Sequence, residues 1–325
     1  MGFPVQRLRR LRRNEVLRSM VRECKVSVTD LICPMFVVHG SGIKKEIDVL
    51  PGNYHLSVDK LEEEVKAVRD LGIPAVILFG IPEKRDEEVS ESYAPEGIVQ
   101  QAVRRLKKNV PGLVVITDVC MCEYTPHGHC GKLIDGYLQN DLNIDLLGKI
   151  AVSHAEAGSD IVAPAAMLDG EVAAIRKALD DKGFVNVAIM GYSAKMASKL
   201  YDPFFKGGTQ SVVAFGDKKS HQMDYSNANE ALREIELDIE EGADIVMVKP
   251  GIFYMDIIYR AKQKFGIPVA VYNVSGEYAM VKSAAQLGRI NEKEIVLELL
   301  TSFKRAGADL ILTYFAREYA PLLKQ

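Results

Sequence analysis

The sequence predicts an α/β protein, a (β/α)8 TIM barrel preceded by an extended N-terminal arm. Two recurring features and one missing motif lead there. Eight short apolar runs, rich in Val, Ile and aromatic residues, recur along the 325 residues. One type of helix-to-strand junction repeats between them. A doubly wound open sheet is the competing α/β architecture, but no G-x-G-x-x-G follows an early strand.

The runs are ICPMFVV (32–38), AVILFG (75–80), LVVITDV (113–119), IVAPAAM (161–167), VAIMGYS (187–193), DIVMVKP (244–250), VAVYNVS (269–275) and LILTYF (310–315). Continuous apolar runs bounded by Gly, Pro or Asp are typical of parallel strands buried on both faces. Amphipathic stretches separate most of them. In DKLEEEVKAVRDLG, Leu61, Val65, Val68 and Leu71 fall on one helical face with charges opposite. HAEAGSDIVAP, IEEGADIVMVKP and KRAGADLILTYF each place a glycine after a helix, then a small residue, an aspartate and a strand. LGIPAVILFG and FGIPVAVYNVSG form a second matching pair. Glycine takes the left-handed cap that ends a helix, and one αβ junction used repeatedly implies repeated βα units. A barrel over 31–325 follows, with residues 1–30 as the arm.

Composition limits what such a barrel does. A net charge of −3, 48% hydrophobic and 26% charged residues describe an ordinary soluble globular chain. No apolar run reaches the roughly 18 residues of a membrane span, and the N-terminus has no secretory apolar region, so a cytoplasmic location and no membrane partner are expected. Five cysteines, an odd number, argue against a disulfide framework. The arm gathers Arg7, Arg9, Arg10, Arg12, Arg13, Arg18 and Arg22. No nucleic-acid recognition motif follows it, and docking on a neighbouring subunit is the expected role.

Chemistry in a βα barrel gathers where strands end and βα loops begin. Asp118, Cys120 and Cys122 follow strand three, Lys195 closes strand five, Lys249 closes strand six, Ser275 closes strand seven, and Tyr314 lies in strand eight. A single lysine ending an apolar strand can snorkel to the rim. Two on adjacent strands are harder to explain that way. Facing ammonium groups repel, and burial penalises both, so each is expected to lower the other's pKa. A neutral amine attacks a ketone to form an imine, which makes Lys195 and Lys249 candidate nucleophiles. The stretch DVCMCEYTPHGHCG supplies thiols at 120, 122 and 130 in a C-x-C-x7-C spacing. Three thiolates suit zinc and leave a fourth position open. His127 and His129 are alternative ligands, an iron–sulfur cluster lacks a fourth nearby cysteine, and Cys24 and Cys33 read as plain thiols.

Taken together, DVCMCEYTPHGHCG, GYSAK, MVKPG, NVSGEYAMVK and KRAGADLILTYF closely resemble the porphobilinogen synthase (5-aminolevulinate dehydratase) family, from the arm to about residue 319. The resemblance implies a hydro-lyase that condenses two 5-aminolevulinate molecules into porphobilinogen, in tetrapyrrole and heme biosynthesis. It implies Schiff-base lysines at Lys195 and Lys249, zinc thiolates at Cys120, Cys122 and Cys130, and an acid beside the metal at Asp118. Gln222 matches a polar residue of the active-site lid (196–225), and Ser275 with Tyr314 match the groups that hold the first substrate's carboxylate. Glu234 matches a magnesium ligand of some members, making Mg2+ an optional second metal. Family members form homo-octamers whose arms wrap a partner.

Departures from the family pattern cluster. Lys206 and Lys218 stand where the lid carries two carboxylate-gripping arginines, and lysine lacks arginine's planar two-pronged fork. Ala165 and Ala166 replace Ser-Asp, Glu171 replaces an arginine, and Gly191 replaces a serine. Most of these positions border the second-substrate side. They leave two further readings open: a paralogue that condenses 5-aminolevulinate with a different partner, and a catalytically silent zinc-binding barrel.

Overall fold

The computed structural model describes residues 2–323; the first residue of the expected arm and the last two of the expected barrel lie outside the described residues. Eight strands form the barrel: β1 (Leu31–Val38), β2 (Ala75–Ile81), β3 (Val114–Val119), β4 (Ile161–Pro164), β5 (Ala188–Lys195), β6 (Ile245–Lys249), β7 (Val269–Asn273) and β8 (Leu310–Thr313). Each pairs in parallel with the next, and β8 pairs with β1 through Leu31↔Ile311 and Ile32↔Leu312, which closes the sheet. Closure removes both edges, so the strand interiors can be apolar on both faces without inviting a further chain. Val76, Ile77, Leu78, Val162, Val246, Met247, Val248 and Val271 are accordingly sealed from solvent.

Helices α1 (Glu15–Met20), α2 (Val58–Asp70), α3 (Ile98–Asn109), α4 (Asp141–Ala157), α5 (Glu171–Asp181), α6 (Ala228–Glu240), α7 (Met255–Phe265), α8 (Ser275–Gln286), α9 (Glu292–Ala306) and α10 (Ala316–Leu323) follow in chain order. In α2, Leu61, Val65 and Val68 face the core as their spacing predicts. The repeated glycine junctions behave as expected. Gly158 and Gly307 take left-handed caps with φ of 104° and 113°. The aspartates after them accept amides at the start of a neighbouring strand: Asp160 from Val115 at 2.8 Å and Asp309 from Val269 at 2.8 Å. One junction therefore ends the helix and starts the neighbouring ladder.

Four expected strand ends overrun the observed ones. The run to 167 stops at Pro164, the run to 250 stops at Lys249, the run to 275 stops at Asn273, and the run to 315 stops at Thr313. Ser275 instead opens α8, because Glu277 reaches back to cap it, and Tyr314 sits in the turn just past β8. The arm holds a 3-10 turn (Leu8–Arg12) and α1, neither with a buried residue. No helix among the described residues is long and apolar enough to cross a membrane.

A short antiparallel ribbon (Lys44–Glu46 with Tyr54–Ser57) continues the sheet beside β1. The lid segment, residues 196–225, lies against it. Gly207 and Gly208 allow that contact, since a Cβ would fall 2.2 Å from Val49 and 2.8 Å from the Phe36 ring. The lid base is stitched to both lysine strands: the Met196 amide donates to the Lys249 carbonyl at 2.9 Å, and the Met223 amide to the Lys195 carbonyl at 3.1 Å.

Candidate active site

Lys195 and Lys249 are register partners at the ends of β5 and β6, and both are buried. The β5–β6 ladder shifts register between Val246 and Val248. An irregularity of this kind breaks the two-residue alternation of a strand. It lets Tyr192 and Lys195, three residues apart, reach the same space, where the Tyr192 ring centre lies 5.6 Å from the Lys195 Nζ and 4.9 Å from the Lys249 Nζ.

Their surroundings differ. Lys249 sits among rings: Tyr272 at 4.5 Å, Tyr192 at 4.9 Å, Tyr201 at 5.1 Å and Phe204 at 5.3 Å from its Nζ. Burial, then the Lys195 charge, pulls its pKa down to about 7. Lys195 donates to the Ala165 carbonyl, so replacing the family's serine there leaves this backbone contact available. Burial also pulls Lys195 down, but the Cys130, Cys120 and Cys122 sulfurs outweigh it and the net shift is upward. The expectation that each lysine lowers the other therefore holds for Lys249 and fails for Lys195, because the sulfurs outweigh burial at Lys195, whereas at Lys249 the pull of Asp118, Cys122 and Cys120 does not.

The three sulfurs lie within 4.8 Å of one another and are buried; Cys120 and Cys122 Sγ are 3.4 Å apart. Zinc–sulfur bonds of about 2.3 Å in a tetrahedron put sulfurs roughly 3.8 Å apart, so the cluster has the right size. Cys130 is pushed well down by hydrogen bonds from Cys120 and Cys122, while Cys120 is pushed up by its hydrogen bonds to Cys122 and Cys130. The lowered Cys130 gives the cluster thiolate character, which suits a cation. Among the described residues the metal-ligating group comprises only these three cysteines. His127 and His129 turn away, His127 Nε2 lying 3.5 Å from Glu87 and His129 Nε2 3.0 Å from the Phe215 carbonyl.

Asp118, half-buried at the end of β3, is raised to about 8 by burial and by Glu123, against the pull of Lys249 and Lys195. It is a carboxylic acid at neutral pH. Tyr314 shares a hydrogen bond of 2.8 Å with Tyr272. Ser275 accepts from the Phe204 amide at 3.1 Å and donates to the Leu200 carbonyl at 3.2 Å, which fixes the lid base over the first lysine. Lys218 is buried with its Nζ 3.6 Å from Cys130 Sγ and 4.3 Å from the Phe205 ring centre. Lys206 lies on the outer rim, 63% exposed, 3.3 Å from Asp202. Both line a cavity of about 260 Å³ with Tyr201, Phe205, Val212 and Gln222.

These features coincide with a family pattern over almost the whole chain: the family model described as "Delta-aminolevulinic acid dehydratase" matches residues 5–322. The chain belongs to the delta-aminolevulinic acid dehydratase family. It is 56% identical over 326 residues to a delta-aminolevulinic acid dehydratase of Synechocystis sp., with 99% of each chain covered. It is 51% identical over 325 residues to that of Bacillus subtilis, with 100% of each covered. Among solved structures it resembles the Toxoplasma gondii dehydratase in complex with porphobilinogen, at a TM-score of 0.95 and 42% identity over 99% of this chain and 92% of that one.

Within this dehydratase, two departures from the family pattern are explained together. Glu171 turns into its own helix start, accepting from the Met167 amide at 3.2 Å and the Leu168 amide at 3.4 Å. Gly191 leaves room for Asp238, whose Oδ2 would lie 2.8 Å from any Cβ at 191. Burial and the nearby Asp238 raise Glu171 to about 8, and burial raises Asp238 to about 7. Glu234 lines a separate cavity with Asp169, Glu230 and His221, outside the cysteine group. Its carboxyl is raised by burial and by Asp169.

Sequence reasoning missed Glu123 and the aromatic cage. Glu123 is buried beside Cys122 and raised to about 8, chiefly by burial. It stands inside the quoted cysteine stretch, but its position there does not reveal its burial. Tyr201 and Phe204 come from the lid, and no local signal aims them at Lys249.

Proposed function

We propose that this dehydratase condenses two molecules of 5-aminolevulinate into porphobilinogen, with Lys249 and Lys195 as imine-forming amines. The observation that carries the reading is the pair of buried lysines in register, one held near neutrality by an aromatic cage and one beside three thiols. Lys249, with its pKa near 7, has an unprotonated amine to attack the first ketone. Asp118, protonated at neutral pH and close enough to both lysines to feel their charge, donates the proton with which the ketone oxygen leaves as water. Ser275 and Tyr314 fix this first molecule, and the Tyr201, Phe204 and Phe205 wall excludes solvent.

Lys195 takes the second molecule. A protonated imine is an electron sink, so the carbon beside it can lose a proton and form a carbon–carbon bond. One such bond and one carbon–nitrogen bond form, two waters leave in total, and both lysines are released. Cys120, Cys122 and Cys130 fit zinc, which when bound supplies Lewis acidity at the second-substrate side. Lys218 and Gln222 serve the second carboxylate from the lid, and Lys206 adds positive charge at its outer rim. Glu234 is read as the ligand for an optional Mg2+, a reading supported by the neighbouring Asp169 and Glu230 carboxylates in its cavity.

The arm is read as a subunit contact. Phe3, Val5, Leu8 and Leu11 are at least half exposed on it, a pattern suited to burial against other copies in a homo-octamer. A reducing cytoplasm keeps the metal-binding thiols available. The test is incubation with 5-aminolevulinate, product identification by mass, and borohydride trapping mapped to the peptide containing MVKPG. Porphobilinogen and a label on Lys249 are expected. Consumption of a different keto or amino acid alongside 5-aminolevulinate would overturn the reading.

A further inference from the structure

A buried polar chain crosses the barrel rim behind the first lysine. Glu277, the third residue of α8, is sealed from solvent, as are Asn273 at the end of β7 and Thr313 at the end of β8. One Glu277 oxygen accepts from the Ile252 amide at 2.6 Å, in the loop that follows Lys249. The other accepts from Asn273 Nδ2 at 2.8 Å and the Val274 amide at 3.0 Å. Asn273 Oδ1 in turn accepts from Thr313 Oγ1 at 2.8 Å, and Thr313 Oγ1 accepts from the Phe315 amide at 3.2 Å.

At strand ends the ladder stops, and buried amides need other acceptors. The three amides satisfied here belong to residues next to functional ones. Ile252 is three residues past Lys249, Val274 precedes Ser275, and Phe315 follows Tyr314. A helix cap alone would satisfy Val274 and stop there. This chain extends to the turn after β6 on one side and to the end of β8 on the other, joining three segments through fully buried contacts, three of them accepted by the Glu277 carboxyl. It also reaches the lid, because a Cβ at Gly276 would fall 2.5 Å from the Leu200 carbonyl.

We infer that Glu277, Asn273 and Thr313 are positioning residues that hold Lys249, Ser275 and Tyr314 as one rigid first-substrate subsite. The inference rests on the assignment of Lys249 as the imine-forming amine. None of the three touches the reacting atoms; they act through the backbone of those that do. Glu277→Gln puts an amide donor against an amide donor on one side of the carboxylate. Thr313→Val removes one hydroxyl with little change of shape. In Glu277→Gln/Asn273→Asp the Gln amide can donate to the new carboxylate, which still accepts from Thr313, and only the Val274 amide is left without its acceptor.

The experiment compares KM, kcat and the rate of borohydride-trapped label on Lys249, with thermal melts in parallel. Both single variants should raise KM for 5-aminolevulinate and slow labelling by about ten- to a hundredfold, since a misplacement of about 1 Å costs that much. The double variant should recover most of the loss. Variants that melt earlier but keep KM and labelling rate within about twofold would overturn the inference, because effects of that size are no more than a change in general stability leaves behind. If Glu277→Gln does not fold, Thr313→Val carries the same test. Absence of label on the unsubstituted enzyme would instead sink the Lys249 assignment, a distinct failure.

Discussion

Two lysines occupy equivalent places on adjacent strands, yet their environments set them apart. Lys249 is surrounded by aromatic faces and falls to about 7, with burial as the main cause. Lys195, as deeply buried, faces sulfur and shifts upward. Ring quadrupoles attract a cation, but weakly compared with the loss of hydration on burial. Three neighbouring thiols with thiolate character oppose that loss with full charge. Protonation at this rim is thus set by what lies within a few ångströms of each amine. A zinc ion held by the three sulfurs would offset most of their charge, weaken the support for the Lys195 ammonium and bring the two lysines closer in behaviour.

The largest effect should come from the first amine itself. Lys249→Ala is expected to lower porphobilinogen formation by at least about a thousandfold and to abolish the label on the MVKPG peptide. Label surviving at another lysine would reverse the roles of the two sides. Next comes the thiolate side. Removing one outer-shell partner of a metal commonly costs about 10- to 100-fold in affinity, so Cys122→Ser, which removes a ligand, should weaken zinc binding by more than about 100-fold in a competitive chelator titration. Zinc affinity should also fall as pH drops, since protons compete for the thiolates. Chelated enzyme should still trap one substrate molecule on Lys249 while releasing no product.

The pH dependence sharpens the contrast further. Lys249 is depressed, so its neutral fraction, and with it the labelling rate, should rise as pH climbs through about 7 and then level off. Lys195→Met removes a like charge, so the midpoint should move to higher pH, by up to about one unit. A midpoint that stays put would mean that burial alone sets the Lys249 pKa. The smallest effect belongs to the lid. Lys206→Ala, at an exposed pair with Asp202, should change turnover by no more than about fivefold, within the range of surface ion pairs. Lys218→Ala strips a buried cation from Cys130 and should cost more than Lys206→Ala in both KM and zinc affinity. Equal losses would show that the lid brings both lysines to the substrate.

Much of this molecule was legible in the chain because its signals are local. The Gly-x-Asp junctions repeat where helices end, and the aspartates bond an amide at the start of the neighbouring strand, so composition and fold agree at each repeat. The C-x-C-x7-C spacing announced a cluster because a short loop can bring its own sulfurs together. Strand ends were less legible. Tyr314 and Ser275 read as strand residues because their apolar neighbours run on, while Glu277, reaching back from inside a helix, ends the strand earlier.

The sequence by itself determined that eight βα units recur, that two lysines end adjacent strands, and that three cysteines share one loop. These follow from periodicity and spacing, which act over a few residues. Only the tertiary structure decided which lysine is neutral, which lid lysine lies against the sulfurs, and where Glu123, Tyr201 and Phe204 point. It also joined Ile252, Glu277, Asn273 and Thr313 into one chain across three strands. Those outcomes depend on charge, burial and hydrogen-bond partners brought together from distant segments, and closure of the barrel is what makes them neighbours.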